Sequence, residues 1–291
     1  MAVYSIENEI LKVSTLDKGA ELQNIFNKQT SLEYIWDANP AFWPKSSPVL
    51  FPIVGGLKDN TYFYDDNPYK LTRHGFGRDH VYEISHQDKT SITFLLKAND
   101  EIRKNYPFEF EFKVQYELKD NRLKITFLVK NTDDKEMYFS VGAHPAFKVP
   151  LTADTNYNNW YLQFSDKETE GIWPVTKDGL MEAFSVPFFN NTDKVSLTKE
   201  LFHKDALVFK NLKSNSISIL SDKTKHGVTV AYDHFPFMGI WSAKDADFVC
   251  IEPWCGISDS TNTLQQLNEK EGIHALQPNN NFERSYSITV F

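Results

Sequence analysis

Between residues 108 and 118 every second residue is apolar: Phe108, Phe110, Phe112, Val114, Tyr116 and Leu118 alternate with Glu109, Glu111, Lys113, Gln115 and Glu117. A period of two puts the apolar side chains on one face of a strand and the polar ones on the other, whereas a helix would scatter both kinds around its surface. The alternation resumes after the turn pair Asp120-Asn121 with Leu123, Ile125, Phe127 and Val129, up to Asn131-Thr132-Asp133-Asp134. It predicts an antiparallel hairpin with one buried face. Similar short runs recur at 91–96, 137–141, 160–164, 216–220, 228–232, 247–252 and 286–291, nearly all separated by turn residues. Only 261–271, TNTLQQLNEKE, offers even a short helical candidate. The chain is therefore expected to be all-β, a large antiparallel β-sandwich. No linker, repeat or low-complexity stretch interrupts it, so residues 1–291 are read as a single domain.

Such a sandwich needs a core. With 41% apolar and 14% aromatic residues in 291, the chain has ample material for one, which argues against disorder. Subtracting 39 Asp+Glu from 31 Lys+Arg leaves −8, a charge that repels phosphate backbones and anionic lipid. Neither nucleic acid nor a membrane is expected as a partner. The start, MAVYSIENEILKV, carries Glu7 and Glu9 where a signal peptide needs positive charge and then an apolar stretch, and a cytoplasmic location is expected. The two cysteines, Cys250 and Cys255, are too few for a disulfide framework or a Cys-rich zinc site. They read as reduced, small packing residues.

The chain lacks a phosphate loop ending in GK[ST], a GxGxxG, an HExxH and a GxSxG. Three segments remain in which an ionisable side chain sits among aromatic, Gly and Pro residues: Arg73–Asp79 (RHGFGRD), Val141–Phe147 (VGAHPAF) and Cys250–Gly256 (CIEPWCG). Glu252 follows the apolar run FVCI and precedes Pro253, which should end a central strand, so a partly desolvated carboxylate is expected at a strand terminus. Desolvation raises such an acid toward the range of a general base. His144 is expected at the end of the 137–141 strand. His74 lies between Arg73 and Arg78, whose charges disfavour imidazolium and leave a neutral donor or acceptor. The plain alternatives are a paired strand-end glutamate, a hydrogen-bonded structural histidine and an ordinary turn. His80, His86, His203, His226, His234 and His274 read as surface or structural residues.

With LFPIVGGLKDNTY from residue 50, DALVF at 205, FPFMGIWS at 235 and the tail from Gly272, these segments resemble the aldose 1-epimerase (galactose mutarotase) family, in its LacX-like branch, over nearly the whole chain. The resemblance implies a twisted β-supersandwich, an open cleft across one sheet, and no metal or organic cofactor. It makes Glu252 the general base at the anomeric hydroxyl, His144 the acid at the ring oxygen and His74 a hydrogen-bonding, polarising neighbour. Arg78 and Asp205 match sugar contacts, and Trp241 offers an aromatic wall. The chain departs from the family pattern at Gly55-Gly56, where many relatives carry an arginine, and at Pro278-Asn279-Asn280, where Pro-Gly-Glu is common. Lys58 either reaches back into the cleft or is a solvated turn lysine.

The expected activity is interconversion of the α and β anomers of a hexose or related aldose, by a monomer or homodimer with a small sugar as its partner. A carbohydrate-binding protein on the same fold, an epimerase of sugar phosphates, and a glycoside hydrolase using Asp205 as second carboxylate are the rivals. A carboxylate base should give the acid limb of the pH profile and an imidazole acid the alkaline limb.

Overall fold

The computed structural model describes residues 1–291 and is built almost wholly of antiparallel strands. The alternation at 108–118 becomes the strand Phe110–Lys119, whose burial alternates residue by residue, paired with Arg122–Asn131 from Phe110↔Asn131 to Lys119↔Arg122. Asp120, at φ 52°, turns the chain between them.

This hairpin lies within a nine-stranded sheet, in the order Thr192–Ser196, Trp160–Glu168, Ser216–Ser221, Val228–Tyr232, Asn281–Val290, Arg122–Asn131, Phe110–Lys119, Ser91–Lys97, Glu83–Gln87. A second, six-stranded sheet holds Leu207–Lys210, Phe237–Trp241, Phe248–Cys255, Val141–Ala143 and Val49–Leu50 in order, with Ala146–Lys148 also paired to Phe248–Cys255. The Phe51 ring, just past Val49–Leu50, stacks on Phe112 of the larger sheet with centroids 4.3 Å apart. Contacts of this kind unite 63 buried residues, from Ile6 to Val290, in one apolar cluster. A four-stranded sheet at the N-terminus (Val3–Glu7, Leu11–Leu16, Leu22–Asn27, Leu32–Glu33), the small hairpin Thr61–Tyr64 with Asn67–Lys70, and a two-stranded pairing of Met137–Phe139 with His274–Leu276 complete the fold. No helix is long and apolar enough to cross a membrane.

Three expectations need correction. The helical candidate at 261–271 yields only a 3-10 turn, Leu267–Glu269, because its apolar residues are too few to hold a longer helix against the sheet. The run 137–141 divides between two sheets: Met137–Phe139 pairs with His274–Leu276, while Val141–Ala143 joins the six-stranded sheet. At the break, the Ser140 N–H turns aside to the Pro52 carbonyl. Finally, Pro253 does not end its strand. Phe248–Cys255 runs through it, paired to Phe237–Trp241 along one edge; along the other, Ala146 pairs with Cys250 and Gly142 with Trp254. The connection His144-Pro145 therefore leaves a gap in the ladder opposite Ile251–Pro253, where a missing N–H costs little.

Candidate active site

That gap makes the site. Glu252 lies at the middle of a fully buried strand and is 1% exposed, while His144 occupies the interruption between two short strands on its flank. His144 Nε2 stands 3.2 Å from Glu252 Oε2. Glu252 Oε2 and His144 Nδ1 are buried with no hydrogen-bond partner in the protein. Two polar groups that approach closely yet leave atoms unsatisfied are disposed to meet a third, bound group.

The surrounding cleft has a volume of about 380 Å³. It is lined by His74, Arg78, His144, Asp205, Trp241 and Glu252, so the structure brings six of the seven candidates together from distant parts of the sequence. Lys58 is the exception. Its backbone N–H is held by Asp259 Oδ2 and its carbonyl by Gln265 Nε2, which fix a half-buried turn that does not line the cleft. Arg73 supplies a second cleft cation instead, its guanidinium packed over Gly179, where a Cβ would stand 2.0 Å from a terminal nitrogen. The other six histidines lie outside the cleft lining.

Sequence reasoning did not single out Trp43. It lies between Pro40 and Pro44 in a loop and stacks on the His144 ring at 4.9 Å, while Trp241 meets the same ring edge-on at 5.7 Å. An aromatic residue in a proline-bounded loop was the only available signal. Trp254, noted only as a neighbour of Glu252, lines the cleft beside two glycines on the adjoining strands. A Cβ at Gly239 would stand 2.4 Å from its ring and one at Gly142 2.8 Å, so only glycine lets the indole lie flat there.

Burial dominates the electrostatics. It pushes the Glu252 carboxyl well above its ordinary value, Asp205 adding to the effect while the Trp254 indole and Arg73 oppose it. It lowers His144 to about 3, against a backbone hydrogen bond and with help from Arg78 and Arg73. His74 is driven well below its usual value by burial, then by His144, Arg78 and Arg73. Gly55 N–H donates to His74 Nδ1, which leaves Nε2 of the neutral ring as a donor. Arg78, depressed chiefly by burial, donates to the Arg73 carbonyl and stands 3.9 Å from Asp79.

Residues 2–283 match the family model described as aldose 1-epimerase. The chain is 34% identical over 296 residues to the chromosomal protein LacX of Lactococcus lactis subsp. lactis, covering 98% of each. It superposes on a galactose mutarotase related enzyme from Lactobacillus acidophilus with a TM-score of 0.95 at 40% identity, over 100% of this chain and 97% of that one. A galactose mutarotase-like protein from Lactobacillus casei superposes with a TM-score of 0.92 at 27% identity, over the whole of both chains.

Proposed function

The chain belongs to the aldose 1-epimerase family and is an enzyme acting on carbohydrates, a mutarotase; on that premise we propose that Glu252 and His144 carry the two proton transfers and that the substrate is a free hexose. The single observation that supports the assignment is the 3.2 Å between His144 Nε2 and Glu252 Oε2. Opening a cyclic sugar removes a proton from the anomeric hydroxyl and delivers one to the ring oxygen, and these two oxygens share one carbon. An acid and a base serving them must stand side by side.

Glu252 as carboxylate takes the hydroxyl proton while His144 as imidazolium protonates the ring oxygen, and the C–O bond breaks. Rotation about C1–C2 presents the other carbonyl face, and the two transfers reverse. Opening thus leaves a protonated Glu252 beside a neutral His144, the forms that burial favours. Both arrangements hold one proton, so the cycle needs no net exchange with solvent. Neutral His74, with its Nε2–H, polarises the reacting oxygens; Arg78 and Asp205 hold hydroxyls, and Trp241 offers an apolar wall. Further features of the reading are a single domain, a cytoplasmic monomer or homodimer, and no nucleic-acid partner, in keeping with the net charge of −8.

Polarimetry on fresh α-glucose and α-galactose tests the activity, and anomer-exchange NMR over free and 6-phosphorylated aldoses tests the substrate. Faster exchange of the free sugars is expected. A preference for the 6-phosphates that weakens with added salt and in Arg78→Lys would replace the neutral substrate with a phosphorylated one, held by the Arg78 fork.

A further inference from the structure

Cys250 has no part in the proton transfers, yet it sits beside them. It precedes Glu252 by two residues on the same strand, so both side chains share a face, and the thiol is completely buried. The ligand atoms of Cys250, His144 and Glu252 all lie within 4.8 Å of one another. Cys255 is different. An odd number of residues from Cys250, it turns to the opposite face, where its thiol approaches the His234 carbonyl at 3.7 Å.

Three observations point to a ligand for this cluster. The donors are an imidazole, a thiolate precursor and a carboxylate, the set that suits zinc. The 3.2 Å between His144 Nε2 and Glu252 Oε2 is close to the edge, about 3.3–3.4 Å, of a tetrahedron whose zinc arms are about 2.0–2.1 Å long. Glu252 Oε2 is fully buried and lacks any hydrogen-bond partner, and it faces this cluster. The thiol has at most about an ångström to close, since a Zn–S arm of about 2.3 Å puts sulfur about 3.6 Å from the neighbouring donors.

We propose that Cys250, His144 and Glu252 form a site for a thiophilic divalent cation of the zinc class, which inhibits the enzyme by occupying its acid and base. Ligation releases the thiol proton and the single proton of the pair to solvent, and leaves a fourth tetrahedral position for water. The cation here is an inhibitor and not a cofactor. The inhibition rests on the acid–base reading above, whereas the binding does not.

The test uses Co²⁺ and Zn²⁺ as probes on the full chain. Co²⁺ should bind one per chain with a thiolate-to-metal charge-transfer band that Zn²⁺ displaces, Cys250→Ser abolishes and Cys255→Ser retains. Zn²⁺ should reduce mutarotation to the spontaneous rate, reversibly with a chelator. Cys250→Ser should keep turnover within about threefold of wild type and need at least about tenfold more Zn²⁺ for the same inhibition. Co²⁺ binding to wild type without a thiolate band, or equal Zn²⁺ inhibition of wild type and Cys250→Ser, overturns the proposal. If Cys250→Ser does not fold, the wild-type cobalt spectrum decides the binding alone. A band that forms with no loss of mutarotation overturns the inhibition and also removes Glu252 and His144 from the chemistry, while the activity itself is established separately by polarimetry without metal.

Discussion

The Gly55 N–H donates to Nδ1 of His74 at 3.1 Å, and the His74 N–H donates back to the Gly55 carbonyl at 2.8 Å. This reciprocal pair holds His74 at φ 69°, a left-handed backbone that a non-glycine residue adopts only when its surroundings enforce it. It also selects the tautomer. ¹⁵N NMR should show His74 as the Nε2–H form, unchanged through the pH range where an ordinary histidine titrates. Protonation of the ring near its usual pKa would contradict the role of a neutral donor.

Glu252→Gln keeps the shape of the side chain and removes the base. Mutarotation should fall about 10²-fold or more with sugar binding retained, and His144→Asn should behave likewise. The double variant should be little worse than either single one, the result expected of two groups that act as one unit. Activity of Glu252→Gln within about threefold of wild type would exclude the carboxylate from the mechanism.

The pH profile follows from the proton count. The working pair holds one proton: as pH falls it gains a second and loses its base, and as pH rises it loses its only proton and has no acid. Burial lowers the imidazole to about 3 and pushes the carboxyl up, so the acid limb lies below the ordinary histidine range and the alkaline limb above the ordinary carboxylate range. This reverses the assignment expected from unperturbed groups, and each limb belongs to the pair rather than to one residue. kcat/KM, corrected for buffer catalysis, should show no acid limb in the ordinary histidine range. A loss of rate on acidification centred there would refute the argument.

Lys270 and Asp259 form an ion pair at 2.9 Å with both side chains 3% exposed. Asp259 Oδ2 also accepts the Lys58 N–H, and its N–H donates to the Gly56 carbonyl, so the pair anchors the turn that leads out of Gly55. Asp259→Asn strands a buried ammonium and should cost about 3–5 kcal/mol, read as a lower urea midpoint at unchanged m. Adding Lys270→Met should recover part of the loss. Equal stability of Asp259→Asn and wild type would show that the pair does not hold this turn.

What was legible in the sequence was local. A period of two specifies a strand and its buried face without reference to the rest of the chain, so the Phe110–Lys119 hairpin appeared at nearly its observed boundaries. Glu252, His144 and His74 stood out because an ionisable group among Gly, Pro and aromatic residues is itself a local signal. Other features were set by partners far away in sequence. The strand through Pro253 continues because the His144-Pro145 connection leaves a gap beside it, and pairing along the chain could not reveal that gap. Lys58 is two residues from Gly56, yet Asp259 and Gln265 decide where its turn sits.

Residue identity and alternation thus determined the all-β class, the hairpin of Phe110–Lys119 with Arg122–Asn131 and the three reactive segments, because those effects act over a few residues. Tertiary structure alone decided that His144 and Glu252 meet at 3.2 Å, that Cys250 lies with them, and that burial pushes the carboxyl up and the imidazole down. Desolvation depends on everything packed around a group, and here that packing draws on segments separated by a hundred residues or more in sequence.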